Sequence, residues 1–227
     1  MKKIMVIMTL LLVMPISANA TVIYQENFED GSADGITILR GIWSISTGIN
    51  SNFGFHGIAY PQNNDDQCMF SLNGIPSDNI AVDVDFSISN SGVGDFEVWL
   101  NAEFDNDSQY IRTGYQLMVN PKESDNPMAD IGRLDNFISP TILAETANVI
   151  SAGEIHHLRV ERFGSTINMI LDDQPFLTTE DSTFTGGIIG FRLFRGGIVD
   201  NIVVTPEPAT LLLLGLGGLL LRKRSKA

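Results

Sequence analysis

Apolar residues recur at every second position through the middle of the chain, and that period leaves little choice of fold. Ile80-Val82-Val84-Phe86-Ile88, Phe96-Val98-Leu100-Ala102-Phe104 and Ile111-Thr113-Tyr115-Leu117-Val119 each set one row of side chains on one face and a polar row opposite. Side chains alternate across an extended strand, whereas a helix returns to the same face every 3.6 residues, so this spacing predicts strands. Shorter runs of the same period follow at Leu158-Val160, Ile167-Met169-Leu171, Ile189-Phe191-Leu193 and Ile198 to Val204. No stretch between Val22 and Val204 carries an amphipathic helical pattern. Many strands with one apolar face each must bury those faces against one another, so the expected class is all-β, with two stacked antiparallel sheets. Asp172-Asp173-Gln174, between two such runs, predicts a tight hairpin, and Asn120 to Asp135 reads as the longest irregular excursion.

The two ends carry a different chemistry. Met1-Lys2-Lys3, the apolar run Ile4 to Met14, Pro15, and then Ala18 and Ala20 around Asn19 have the order of a cleavable signal peptide, with Thr21 as the new first residue. The apolar run is too short to span a bilayer. No cysteine follows the cleavage site, which sets lipoprotein anchoring aside. At the other end, Pro206-Glu207-Pro208 precedes the apolar run Leu211 to Leu221 and the basic cluster Arg222-Lys223-Arg224. The prolines exclude helix and sheet and leave an extended peptide that a protease can grip. The Leu/Gly run partitions into lipid as a short hydrophobic helix, and the basic cluster stays on the cytoplasmic side. Ala209 to Leu221 is 13 residues, which as a helix is about 20 Å against a hydrocarbon core of roughly 30 Å. Such an anchor needs Arg222 and Lys223 to snorkel, or serves only until it is cleaved. The organisation is thus 1–20 signal peptide, 21–205 β domain, and 206–227 sorting tail.

Order and spacing at the C-terminus resemble the PEP-CTERM sorting signal, which exosortases recognise in Gram-negative bacteria. The resemblance implies signal peptidase and exosortase as processing partners and a membrane contact through the tail. It also implies an inner-membrane-anchored intermediate that ends at the cell surface or in the extracellular matrix.

Removing both ends leaves 26 of the 27 acids and 8 of the 14 bases, a net charge of −18. That field repels nucleic acid and anionic head groups and favours cations, calcium above all. Cys68 is the one cysteine, so no intramolecular disulfide forms; it is either a quiet residue or the site of an interchain bridge outside the cytoplasm.

If the middle strands share one sheet, their polar rows form one outward face. Glu97, Trp99, Asn101 and Glu103 lie opposite the apolar row of their strand, with Tyr110, Arg112, Gln116 and Met118 from the next and Asp83 and Asp85 from the one before. An aromatic ring that stacks on a sugar's C–H face, with carboxylates and Arg holding hydroxyls, is the chemistry of carbohydrate recognition. The candidate set is Trp99, Glu97, Tyr110, Arg112, Gln116 and Asp85; an ordinary solvated sheet face is the competing reading.

Asn27-Phe28-Glu29-Asp30-Gly31 followed by Gly41-Ile42-Trp43-Ser44 opens the domain, and Gly186-Gly187-Ile188-Ile189-Gly190-Phe191 and Val199-Asp200-Asn201-Ile202-Val203-Val204 close it. These segments resemble the concanavalin A-like lectin/glucanase family, with its laminin G-like and carbohydrate-binding relatives, and imply a jelly-roll sandwich. The resemblance also implies a structural calcium ion between Glu29 or Asp30 and Asp200. Asp200 lies between Ile198 and Ile202, which turns it to the apolar side, where it needs a metal or backbone amides as partners. The family's glucanases carry Glu-x-Asp-x-x-Glu on one strand. Here Trp99 occupies the place of the Asp, and Glu103 falls one place late. The resulting expectation is a non-catalytic, polysaccharide-binding surface or matrix protein, with a glycan-active hydrolase as the alternative.

Overall fold

The computed structural model describes residues 21–46, 55–58, 67–89, 94–105, 110–122, 128–136, 139–147 and 149–206. The signal-cleavage residues Ala18 and Ala20 and the tail residues Glu207, Pro208, Arg222, Lys223 and Arg224 lie outside them. Every regular element among the described residues is a strand: β1 Tyr24–Glu26, β2 Ile36–Arg40, β3 Ile42–Ile45, β4 Phe55–Ile58, β5 Gln67–Leu72, β6 Ile80–Ile88, β7 Asp95–Phe104, β8 Ile111–Val119, β9 Ala129–Leu134, β10 Thr141–Thr146, β11 His156–Phe163, β12 Thr166–Leu171, β13 Gln174–Glu180, β14 Ile188–Phe194 and β15 Gly197–Pro206. They build one unit, Val22–Pro206. No described helix is long and apolar enough to cross a membrane.

The strands form the two-sheet antiparallel jelly roll that the alternation called for. One sheet runs β13-β12-β11-β6-β15-β4-β3, with β1 also on β15; the other runs β10-β9-β8-β7-β14-β5-β2. Strand β15 has β6 along one side, while β4 (at Gly197 to Val199) and β1 (at Ile202 to Val204) share the other. The inward rows named above meet between the sheets. Phe86 of the eight-stranded sheet stacks on Phe96 at 4.3 Å, Phe191 stacks on Phe70 at 4.8 Å, and Trp43 meets Phe70 edge-on at 4.9 Å. Each such ring buries apolar area worth roughly 1.5–3 kcal/mol. The Asp172-Asp173 hairpin forms as expected between β12 and β13: both residues have positive φ, 49° and 62°, the twist that a two-residue turn between right-handed strands requires.

Three expectations are corrected here. The stretch Asn120 to Asp135 contains β9, whose inward row is only Ala129 and Ile131, too short to stand out as a periodic run. Strand β6 does not join β7; it pairs β11 and β15 in the opposite sheet, so Asp83 and Asp85 leave the outward set. Asp200 does not face the apolar side. Val199 pairs Phe86 in the core and Asp200 pairs Asp85 on the outer face, after which a bulge at Asn201 (φ 50°) restores Ile202 to the core.

A second bulge re-aims Asn101, whose φ is 53°. Its amide turns from the outer face toward the sheet's end and donates to Ser77 Oγ (3.1 Å), Asp78 Oδ1 (2.8 Å) and the Gly186 carbonyl (2.6 Å). Arg162, on β11, completes the cluster. It is 2% exposed, donates through Nη1 to Asp78 and Asn101 and through Nη2 to the Phe184 carbonyl, and lies 5.1 Å from the centre of the Tyr115 ring. One guanidinium thereby ties the two sheets.

Candidate functional site

Register on the seven-stranded sheet aligns two outward rows. Arg192, Glu97, Met118, Asp130 and Glu145 are successive partners from β14 across to β10. The next row is Gly190, Trp99, Gln116 and Gly132. The outward orientation expected for Glu97, Trp99 and Gln116 is therefore present, but the expected exposure is not. Glu97 is fully buried, Trp99 is 3% exposed and Gln116 7%. The reason is a second apolar layer on this face. Met69, Ala102, Ile111 and Leu134 pack on Trp99, and Leu39, Phe104 and Ile188 pack against them in part. At Gly190 the missing side chain makes room for Phe104, whose ring lies 3.0 Å from where a Cβ would sit.

Beneath this layer lies a buried ion pair. Glu97 Oε1 accepts from Gln116 Nε2 and lies 2.5 Å from Arg192 Nη2, while Oε2 accepts from Trp99 Nε1 at 2.6 Å. Arg192 Nη2 also reaches both Asp95 oxygens, at 3.0 and 3.1 Å. Burial pushes the Glu97 carboxyl up; Arg192 pulls it back, Asp95 adds to the rise, and the Trp99 and Gln116 donors lower it. All its partners are donors, which is the geometry of a carboxylate acceptor.

Above the pair opens a cleft of about 410 Å³. Trp99, Met69, Ile111 and Leu134 supply its apolar lining, Gln67, Gln116, Ser139 and Arg192 its polar groups, and Tyr110 and Pro140 complete the wall. Tyr110 is 41% exposed, and the Arg40 guanidinium sits 4.4 Å over its ring. No Asp or Glu is among the described lining residues. Of the six sequence-derived candidates, Glu97, Trp99, Gln116 and Tyr110 come together here. Arg112 is exposed, donates to Asn136 Oδ1 at 3.3 Å and lies outside the lining. Asp85 lies on the other sheet, held by His157 Nδ1 (2.8 Å) and Asn201 Nδ2 (2.8 Å).

Sequence reasoning missed Arg192 and Asp130. Both fall at outward positions of runs whose inward residues were legible or nearly so, but nothing local says that they face Glu97 and Gln116. Asp130 is 1% exposed, and its Oδ1 has no hydrogen-bond partner. Burial, with Glu145 and Asp95 nearby, pushes its carboxyl up to about 6 from an ordinary 3.8. The folded state therefore holds this proton more tightly than the unfolded chain does. Below pH 3.8 both states are protonated and no penalty exists; it grows as pH rises toward 6 and persists above. Asp130→Asn is thus expected to stabilise the fold by about 1–3 kcal/mol at pH 8 and to change it little at pH 3, as read by denaturant unfolding at the two pH values.

Asp30 and Asp200, two of the acids assigned to calcium, each accept hydrogen bonds from neighbouring backbone amides. Glu29 and Asp30 lie in an exposed turn, where Asp30 Oδ1 accepts from the Ser32 amide and hydroxyl, both at 2.8 Å. The buried acid of this region is Glu26, which accepts from the Phe28 (2.7 Å) and Asp34 (2.9 Å) amides. Asp200 Oδ1 accepts from the Asn201 amide at 2.7 Å. Among the described residues no three His, Cys, Asp or Glu side chains converge to hold a metal. Cys68 is buried, and burial pushes its thiol up to about 11, the setting of an unreactive residue.

A PEP-CTERM protein-sorting motif matches residues 204–225. It marks an exported protein with a C-terminal sorting signal. No curated protein matches the chain in sequence. Solved structures do match in fold. The carbohydrate-binding module CBM66 from Bacillus subtilis superposes with a TM-score of 0.60 at 20% identity, over 75% of this chain and 95% of that one. A Bacillus subtilis protein of unknown function with a galectin-like fold gives 0.64 at 16%, over 83% and 97%. The carbohydrate recognition domain of Emp47p gives 0.62 at 12%, over 84% and 98%. At these identities the likeness is one of fold.

Proposed function

We propose that the chain is a non-catalytic, polysaccharide-binding protein of the bacterial envelope, which takes its glycan in the cleft of the seven-stranded sheet. The carrying observation is that cleft: about 410 Å³, apolar around Trp99, with Tyr110 in its wall and Gln67, Gln116, Ser139 and Arg192 among its lining residues. Sites for small polar ligands have this build, an apolar surface with a few placed hydrogen-bonding groups. The likeness to carbohydrate-binding domains supports the same reading. Hydrolysis is disfavoured, because it needs two carboxyl groups at the scissile bond, and both oxygens of Glu97 are occupied by donors.

The exported form is read as beginning at Thr21, passing through a membrane-anchored intermediate and losing its tail near Pro206 to Pro208 by exosortase action in a Gram-negative host. Intact mass of surface material from that host tests this, and a mass that retains residues 209–227 would refute removal of the tail.

A glycan array run beside a reducing-sugar assay tests the binding reading: retention without new reducing ends is expected. Tyr110→Ala is the informative variant. Tyr110 is exposed at the rim, so its loss should weaken glycan binding about tenfold, as loss of one good stacking contact does, with little change in melting temperature. Trp99→Ala cannot serve this purpose, since truncating a packed aromatic costs about 3 kcal/mol through folding alone. A blank array for the wild-type chain would end the proposal.

A further inference from the structure

The polar groups of the cleft are unevenly satisfied, and the imbalance has a chemical sign. Gln116 is nine-tenths buried and lines the cleft. Its Nε2 is committed to the Glu97 carboxylate, which fixes the orientation of the amide and leaves Oε1 with no donor among its hydrogen bonds. Beside it stands Asp130, whose Oδ1 is buried and unpartnered. Both oxygens approach one point above Gly132, the position its absent Cβ would take: Gln116 Oε1 lies 3.5 Å away and Asp130 Oδ1 3.6 Å, with Pro140 Cβ at 2.9 Å. Two acceptors thus lie near one point, and the buried one, Asp130 Oδ1, has no donor; unsatisfied buried acceptors are uncommon enough in native proteins to need a reason.

The surrounding charge points the same way. Asp95 lies within electrostatic reach of Glu97 and of Asp130, Glu145 lies within reach of Asp130, and Arg192 is already paired with Asp95 and Glu97. A hydroxyl would satisfy one acceptor. An ammonium group has three donors and a charge that offsets the carboxylates, so it answers both observations together.

We propose that the Gln116–Asp130 wall is a subsite for an ammonium-bearing sugar, and that the preferred ligand is a partly deacetylated amino-sugar polysaccharide rather than a neutral or fully acetylated one. This rests on the reading of the cleft as a glycan site. Gln116 Oε1, on the cleft wall, accepts directly from the ammonium, and the Asp130 carboxylate behind it sets the sign of the field.

The test is calorimetric titration of the purified full-length chain in detergent with three β-1,4-linked hexamers, of glucosamine, N-acetylglucosamine and glucose, at fixed ionic strength and a pH that keeps the amines protonated. The glucosamine hexamer is expected to bind about tenfold more tightly than either other. Asp130→Asn should reduce that preference to about threefold or less, with a melting temperature at or above that of the wild type, so that unfolding is not the cause. Glu154→Gln, an exposed acid outside the cleft, should keep the preference intact. Equal binding of the three hexamers overturns the ammonium subsite while the cleft reading stands; no binding of any overturns both. A preference that survives Asp130→Asn, or that falls as much with Glu154→Gln, assigns it to the general negative charge and overturns the subsite.

Discussion

Replacing Arg192 by Ala is expected to cost about 3–5 kcal/mol, because it strands two carboxylates rather than deleting one contact. Its Nη2 lies 2.5 Å from Glu97 and within 3.1 Å of both Asp95 oxygens, and Glu97 has no exposure through which water could replace it. Without the guanidinium, Glu97 must take up a proton at neutral pH, since burial already drives its carboxyl upward and Arg192 is the chief opposing influence. The sign follows. A folded-state value raised further above the ordinary 4.5 makes the loss small in acid and larger as pH rises beyond it. Urea unfolding of the variant at pH 4 and pH 8 should show that divergence, and adding Glu97→Gln should recover part of the loss at pH 8 alone. A loss of under about 1 kcal/mol at both pH values would mean that the pair is solvated and behaves as a surface ion pair.

Arg162→Ala should be comparably damaging, about 3–5 kcal/mol, and for a different reason. The guanidinium spans the sandwich, holding Asp78, Asn101 and the Phe184 carbonyl while lying over Tyr115. Its removal leaves the Asn101 oxygen and the Phe184 carbonyl without their donor and opens a void beside the ring. Arg162→Lys should recover little, since one ammonium cannot reproduce a planar fork that serves three acceptors on two nitrogens. Denaturant midpoints of the two variants within experimental error of the wild type would remove Arg162 from the list of structural ties.

Much of this was legible in the chain and the rest was not, for identifiable reasons. Alternation specified which face of each strand is apolar, and Phe86, Phe96, Val98 and Leu117 are all in the core as it required. Alternation carries no information on partners. The run Ile80 to Ile88 precedes Asp95 to Phe104 in sequence yet sits in the opposite sheet, and so Asp85 was misplaced with Trp99. For Trp99 the outward direction was right and the exposure wrong, because its cover comes from Met69, Ile111 and Leu134, on three other strands. Bulges at Asn101 and Asn201 shift the alternation by one place, which re-aimed Asn101 and Asp200. Arg162 could have been found. It continues the inward row Leu158, Val160, and a charged residue at a core position announces a buried partner.

The position of β15 bears on how the fold meets mechanical load. This strand ends at Pro206, where the sorting tail begins, and it is flanked by β6 on one side and by β4 and β1 on the other. Its ladder bonds lie across the strand axis, so tension applied at Pro206 along β15 would strain many of them at once, in shear, instead of peeling them singly. A tether attached to an edge strand would unzip the sheet bond by bond; attached here, it pulls on the part of the sandwich best suited to resist.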